Sequence, residues 1–220
     1  MRLFFLYCLV VLISVSWLST GSRAATAETD IQKLYGEMFS FAADFEQTIS
    51  HRESGLIEKR RGKLLFKKPL LVRWQTSKPH EELLLVNADA VWNYLPDEEV
   101  VYRYPLEVMQ GSQGIIQVLT GQAALTKDFE VKAEGKEKTL CKLRLYPKEP
   151  SPQMVEALIW VDGKGYIRRA SILDFYGNSN DVRFTRFITD TVRDIDFLFV
   201  PPKGVDIEDR SSQDGGRFFN

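Results

Sequence analysis

Extended segments joined by turns of only a few residues make up most of this sequence, and that spacing leaves few folds open. Phe41, Ala43, Phe45, Gln47 and Ile49 alternate on one side of a first extended segment, and Ser54-Gly55 marks the turn into a second that runs to Phe66. Pro69 breaks the run. Val72 to Thr76, Glu82 to Val86, Val91 to Leu95 and Glu99 to Tyr104 follow as short strands, with Lys78-Pro79, Asn87-Ala88-Asp89 and Pro96-Asp97 between them. Strand signals resume at Phe129 to Ala133, Leu140 to Tyr146, Val155 to Val161, Ile167 to Phe175 and Val182 to Thr189, and Phe197 to Val200 is a last extended piece. Connections this short join antiparallel neighbours, because a parallel crossover needs a dozen or more residues. About ten such strands exceed what an open twisted sheet holds without curling, so a mainly β fold built on a large curled antiparallel sheet, closed or nearly closed into a barrel, is predicted. Its interior is either packed with side chains or left as a cavity, and composition alone does not choose.

Two segments depart from this pattern. Ile31, Leu34, Tyr35, Met38 and Phe39 recur at helical spacing, with Thr29 or Asp30 placed to cap the first turn, which predicts one amphipathic helix over Thr29 to Phe39. Pro105 to Gln122 holds Leu106, Val108, Met109, Ile115, Ile116, Val118 and Leu119 without persistent alternation. Ile115, Ile116 and Leu119 suit one short helix, with Gly111 and Gly121 as hinges, so this stretch reads as an apolar flap. Helix and flap are the available covers for an open sheet.

The chain opens with Arg2, an apolar run from Leu3 to Leu18 and small residues ending in Ala25-Thr26-Ala27, the order of a secretory signal. A transmembrane anchor would need about 20 apolar residues, more than this run supplies. Cleavage is expected after Ala27, leaving residues 28–210 as one domain and 211–220 as a polar, disordered tail. Its removal takes away Arg2 and Arg23 of the 29 basic residues and none of the 30 acidic ones, so the remaining balance is slightly negative. That excludes the strongly basic footprint of a nucleic-acid binder. Cys8 falls in the signal, so Cys141 remains as a single cysteine without an internal disulfide, read as a small apolar core residue within Leu140-Cys141-Lys142-Leu143. Ala, Thr and Glu surround the cleavage point, with no cysteine to carry a lipid anchor, so a soluble, diffusing protein is expected.

Three stretches then carry a likeness. Phe45-Glu46-Gln47, the block Gly62-Lys63-Leu64-Leu65-Phe66-Lys67-Lys68-Pro69 through Arg73-Trp74, and the run Leu85-Val86-Asn87-Ala88-Asp89-Ala90-Val91-Trp92-Asn93-Tyr94 resemble, in order and spacing, the outer-membrane lipoprotein carrier family of the LolA type. The likeness continues through Ile115 to Gly121 and Phe199-Val200-Pro201-Pro202-Lys203-Gly204-Val205. It implies an unclosed barrel with an N-terminal helix and a short helical lid over its mouth, and an apolar cavity for the acyl chains of lipoproteins. It further implies a periplasmic monomer that takes cargo from an inner-membrane ABC transporter complex to an outer-membrane acceptor lipoprotein, with no cofactor. Phe45, Phe66, Trp74, Trp92, Leu106, Met109, Ile115, Ile116, Val118 and Leu119 are the candidate contacts for acyl chains. Family members carry an arginine before the proline that Pro69 matches, associated with holding the lid closed. Here Lys68 stands in its place, and an ammonium lacks the planar five-donor fork, so a weaker or rearranged latch is expected.

Other chemistries find little support in the residues. The pattern G-x-x-x-x-G-K-[ST] is absent, so loading work is expected from a partner. His51 and His80 stand at strand ends or turns without zinc-ligand spacing, and Gly111-Ser112-Gln113-Gly114 is a turn rather than a nucleophile elbow, so no enzyme is predicted. A lipid- or lipoprotein-sensing module of envelope signalling is the alternative, and a lipid hydrolase a third.

Overall fold

A computed structural model describes residues 31, 33–35, 37–109, 116, 118, 120 and 125–210. The expected signal, the tail, Ile115, Leu119 and the two flap glycines Gly111 and Gly121 lie outside the described residues.

The described chain forms a 12-stranded sheet. Its strands are β1 (Ser40–Ser50), β2 (Ile57–Lys67), β3 (Leu71–Lys78), β4 (Glu82–Val86), β5 (Val91–Leu95), β6 (Val100–Tyr104), β7 (Phe129–Glu137), β8 (Leu140–Pro147), β9 (Glu156–Val161), β10 (Ile167–Leu173), β11 (Ser179–Thr189) and β12 (Asp206–Asp209). They lie side by side in the order β12-β6-β5-β4-β3-β2-β1-β11-β10-β9-β8-β7. The sheet curls but does not close, since β12 and β7 each stand at an edge. The first strand joins the two halves by pairing with β2 on one side and β11 on the other. Short turns enforce the antiparallel meander, and a shift of register between Asp44 and Phe45 in the β1/β11 ladder adds local twist to the centre of the sheet.

Two expectations are corrected at the C-terminal end. Phe197 to Val200 is not a strand: Asp194–Phe197 forms a 3-10 turn, and the chain continues across the outer face of β3 to β5 in irregular backbone. The last strand is instead β12, and it runs parallel to β6, pairing Asp206 with Val100 through Asp209 with Arg103. The rule that short connections exclude parallel pairs still holds, because almost half the chain separates these two strands. Asp-Ile-Glu-Asp offers only one apolar residue, so no alternation marked it.

Helical residues 31, 33–35 and 37 follow the predicted helix, and the Met38 N–H still reaches back to the Leu34 carbonyl at 2.8 Å before the chain turns extended at Ser40. Leu106–Met109 is a 3-10 turn, Ile116 and Val118 are helical, and Leu125–Asp128 is a short helix absent from the sequence reading.

Candidate functional site

Strand periodicity and register together build one apolar surface. In β1 every second residue from Phe41 to Ile49 is buried, so Phe41, Ala43, Phe45, Gln47 and Ile49 point to the same side. The ladders carry that side across the sheet. Phe41 faces Phe66, Phe66 faces Val72, Val72 faces Val86 and Val86 faces Val91. Toward the other half, Gln47 faces Val182, and Ala170, Ile159, Leu143 and Ala133 extend the row to the edge strand β7. Apart from Gln47 and Ile49, all of these belong to or pack against one continuous hydrophobic cluster.

The covers contribute to the same cluster. Ile31, Tyr35 and Met38 at the N-terminal helix, Met109, Ile116 and Val118 in the predicted flap, and Leu125 are buried in it, with Leu106 and Val108 packed against it. The described residues of helix and flap thus meet the sheet through apolar side chains rather than through a strand ladder. One polar tie is added: the Tyr35 hydroxyl accepts the Ile167 N–H at 3.2 Å, and burial pushes the Tyr35 phenol up, keeping it neutral. Sequence reasoning placed Tyr35 on the apolar helix face and missed this bond.

The aromatic centre of the face is Phe45 with Trp74, ring centroids 4.6 Å apart and tilted by 43°. Phe45 faces Gly62 across the β1/β2 ladder, and a Cβ on Gly62 would lie 2.9 Å from the Phe45 ring and 1.9 Å from the Gln75 carbonyl oxygen. The bare backbone at Gly62 therefore makes room for the ring. Gln47 is the polar interruption: its Nε2 donates to Asn180 Oδ1 at 2.9 Å, while its buried Oε1 has no partner among the described residues.

The candidates from sequence sort as follows. Phe45, Phe66, Trp74, Met109, Ile116 and Val118 come together in the cluster, with Leu106 at its margin. Trp92 does not join them. It pairs with Leu85 on the opposite face and packs with Leu83, Phe197 and Phe199 in a second, smaller cluster. Strand alternation is the reason: Val91 takes the inner side of β5, so its neighbour Trp92 takes the outer one. Lys68 follows the last residue of β2, and its backbone N–H donates to the Phe39 carbonyl at 2.9 Å, tying the link between helix and β1 to the sheet. Cys141 is half-buried against the main cluster, as its apolar setting predicts. His80 is exposed and its Nδ1 lies 2.8 Å from Asp97 Oδ2, beside Arg60, Thr76 and Glu82. Among the described residues no three His, Cys, Asp or Glu side chains converge as metal ligands, and no helix is long and apolar enough to cross a membrane.

The family model described as "Outer membrane lipoprotein carrier protein LolA" matches residues 37–200. An outer-membrane lipoprotein carrier protein of Serratia proteamaculans is 27% identical over 202 residues, covering 92% of this chain and 97% of that protein. A protein of the same description from Yersinia pestis is 26% identical over 202 residues, covering 92% and 98%. Among solved structures, an uncharacterized conserved protein from Thermus thermophilus shares the fold, with a TM-score of 0.57 at 15% identity over 86% of this chain and 99% of that one.

Proposed function

The chain belongs to the LolA family of outer membrane lipoprotein carrier proteins, and on that premise we propose that it binds lipoprotein acyl chains against its inner apolar face and ferries them through the periplasm from the inner to the outer membrane. The observation that carries this reading is the continuity of that face from β5 to β7 together with covers that are not strands. A sheet this wide with a conventional core would need a second layer over its whole concave side. Here helical and 3-10 segments supply the cover, and these can lift while every strand pairing stays made.

The energetics favour a container. Each buried methylene is worth about 0.8 kcal/mol, so two or three long acyl chains would cost roughly 20 kcal/mol or more to expose to water. When the covers are seated, Ile116, Val118, Met109 and Tyr35 shield the sheet. When cargo arrives, acyl chains take over contacts with Phe45, Trp74 and Phe66, and the displaced cover residues pack on the chains instead. The exchange is close to neutral, so loading and release are governed by relative affinities of the partners. We assign loading to an inner-membrane ABC transporter complex and release to an outer-membrane acceptor, with no chemical step performed by this chain. The Lys68 N–H to Phe39 carbonyl bond and the Ile167 N–H to Tyr35 hydroxyl bond both help hold the helix entrance to the sheet.

Recovery of the protein from periplasm followed by mass spectrometry of the bound material tests this. Acylated N-terminal cysteine peptides are the expected cargo. Recovery of glycolipid or free phospholipid alone would replace the cargo class, and recovery from the cytoplasm would end the reading.

A further inference from the structure

Two hairpin tips stand side by side at one rim of the sheet. Ser50 at the end of β1 faces Ile57 on one side and Ser179 on the other, so the turn between β1 and β2 neighbours the turn between β10 and β11. They are joined: the Arg52 N–H donates to Asn178 Oδ1 at 3.0 Å, and the Arg52 side chain runs over Gly177, where a Cβ would come within 2.5 Å of it. The second turn is braced from within, since Asp174 Oδ1 accepts the Asn178 N–H at 2.8 Å and Gly177 takes a φ of 82°.

These braced tips hold apolar side chains out in water. Phe175 is 73% and Tyr176 70% exposed, packed edge to face at 5.7 Å, and Leu56 and Ile57 on the adjoining tip are 59% and 60% exposed. Scattered exposed apolar residues are ordinary, but four on two joined tips form a patch.

A basic surface adjoins them. Along the outer side of β2, Ile57 is followed by Lys59, Arg61 and Lys63, all exposed. Across β1, Arg61 and Arg183 flank Glu46, and Lys63 and Arg186 flank Asp44. None of Lys59, Arg61, Lys63, Arg183 and Arg186 forms an ion pair among the described residues, whereas the nearby Asp181 is taken up by Arg169 at 2.8 Å. A chain of net charge −1 thus concentrates five uncommitted cations beside its apolar tips.

We propose that this rim is a membrane-contact surface, in which the two tips enter the interfacial layer of an anionic bilayer and the cations of β2 and β11 lie against its headgroups. The spacing fits. At about 3.4 Å per residue, Lys59 and Arg61 stand roughly 7 and 14 Å from Ile57, while an interfacial apolar element sinks about 5–10 Å. Convex, separate points suit a fluid surface that closes around them better than a preformed protein pocket, and the adjoining positive charge complements acidic lipids. The proposal goes beyond the carrier reading and does not depend on it.

Co-sedimentation of the mature chain with vesicles of phosphatidylethanolamine and phosphatidylglycerol tests it, with phosphatidylcholine vesicles as the comparison. Binding is expected to the anionic vesicles and to vanish at about 1 M salt, where the Debye length is about 3 Å. Phe175→Ser with Tyr176→Ser is expected to lower partitioning about tenfold, the scale of one aromatic side chain withdrawn from an apolar phase. Lys59→Glu with Arg61→Glu is expected to abolish the preference for anionic lipid. All four sites are exposed, so unchanged circular dichroism and thermal midpoint show that the variants fold. No sedimentation of the wild type with anionic vesicles overturns the proposal, as does wild-type binding by the Phe175/Tyr176 variant; so does capture of an acidic protein at this rim without vesicle binding. Loading of an acylated peptide, measured on the same variants, is expected to be unchanged; a wild type that binds vesicles but no acyl chains would end the carrier reading and leave this one standing.

Discussion

The Tyr35 hydroxyl accepts the backbone N–H of Ile167 at 3.2 Å, joining the N-terminal helix to a strand 132 residues further along the chain. The bond is buried, and it lies where the β10 ladder shifts register between Ile167 and Arg169. Helix seating and strand regularity meet at this point.

Tyr35→Phe keeps the ring and its apolar contacts but leaves the Ile167 N–H without the hydroxyl. An unpaired buried donor costs about 1–3 kcal/mol, and the loss is expected in urea denaturation. Because the bond holds a cover to the sheet, amide exchange of residues 31–38 should rise more than that of β4 or β5. Equal exchange in the two proteins would show that the helix is held by packing alone.

Trp74 and Trp92 give a contrast between the two faces. Trp74→Ala removes the partner of Phe45 from the inner face and is expected to lower acyl loading several-fold, with a stability cost of about 3 kcal/mol. Trp92→Ala loosens the outer cluster around Phe197 and Phe199 and is expected to leave loading per folded molecule unchanged. A fluorescent fatty acid titration on both variants decides this, and equal loss in the two would remove the assignment of faces.

What the sequence made legible follows from locality. Alternation in Phe41 to Ile49 and short turns were enough for the meander, since both are read within a few residues. The facing of Trp92 was not, because Val91-Trp92-Asn93-Tyr94-Leu95 carries apolar residues on both sides and the outer side is covered by Phe197 to Phe199, a segment far away in the chain. The same limit hid the Tyr35 bond and the parallel strand β12, each of which depends on a partner more than 100 residues distant. The candidate site was therefore legible as a composition of apolar residues, while its sidedness was set by register.

Gly62→Ala tests the close approach that seats Phe45. The added Cβ would meet the Gln75 carbonyl at 1.9 Å, and backbone is a poor yielder, so the β2/β3 ladder must shift. Overpacking of this kind costs about 1–3 kcal/mol, and a value at the upper end is expected by chemical denaturation. Combining it with Phe45→Ala should not restore stability, because the tighter clash is with Gln75 rather than with the ring. Restoration would place the strain at Phe45 instead.

The outer segment should respond to acid through Asp196. Its Oδ2 accepts the Arg193 N–H at 2.8 Å, and that backbone hydrogen bond, reinforced by the Arg193 and Arg73 charges, holds the carboxyl below the ordinary aspartate range. A folded-state value below the unfolded one means the anchored turn gains stability at neutral pH. That gain is lost as pH falls through the folded value, in a window below about pH 4. Asp194–Phe197 carries Phe197 into the outer cluster, so protonation of Asp196 should free this turn before the sheet itself unfolds. Hydrogen exchange at the Leu198 amide, which bonds the Ile195 carbonyl at 3.2 Å, is the readout. After correction for the intrinsic pH dependence of exchange, protection in the wild type should fall as pH drops through this window. In Asp196→Asn it should already be low at neutral pH and change little on acidification. Full protection of Leu198 in Asp196→Asn at pH 7 would show that the Phe197 contact alone anchors the segment.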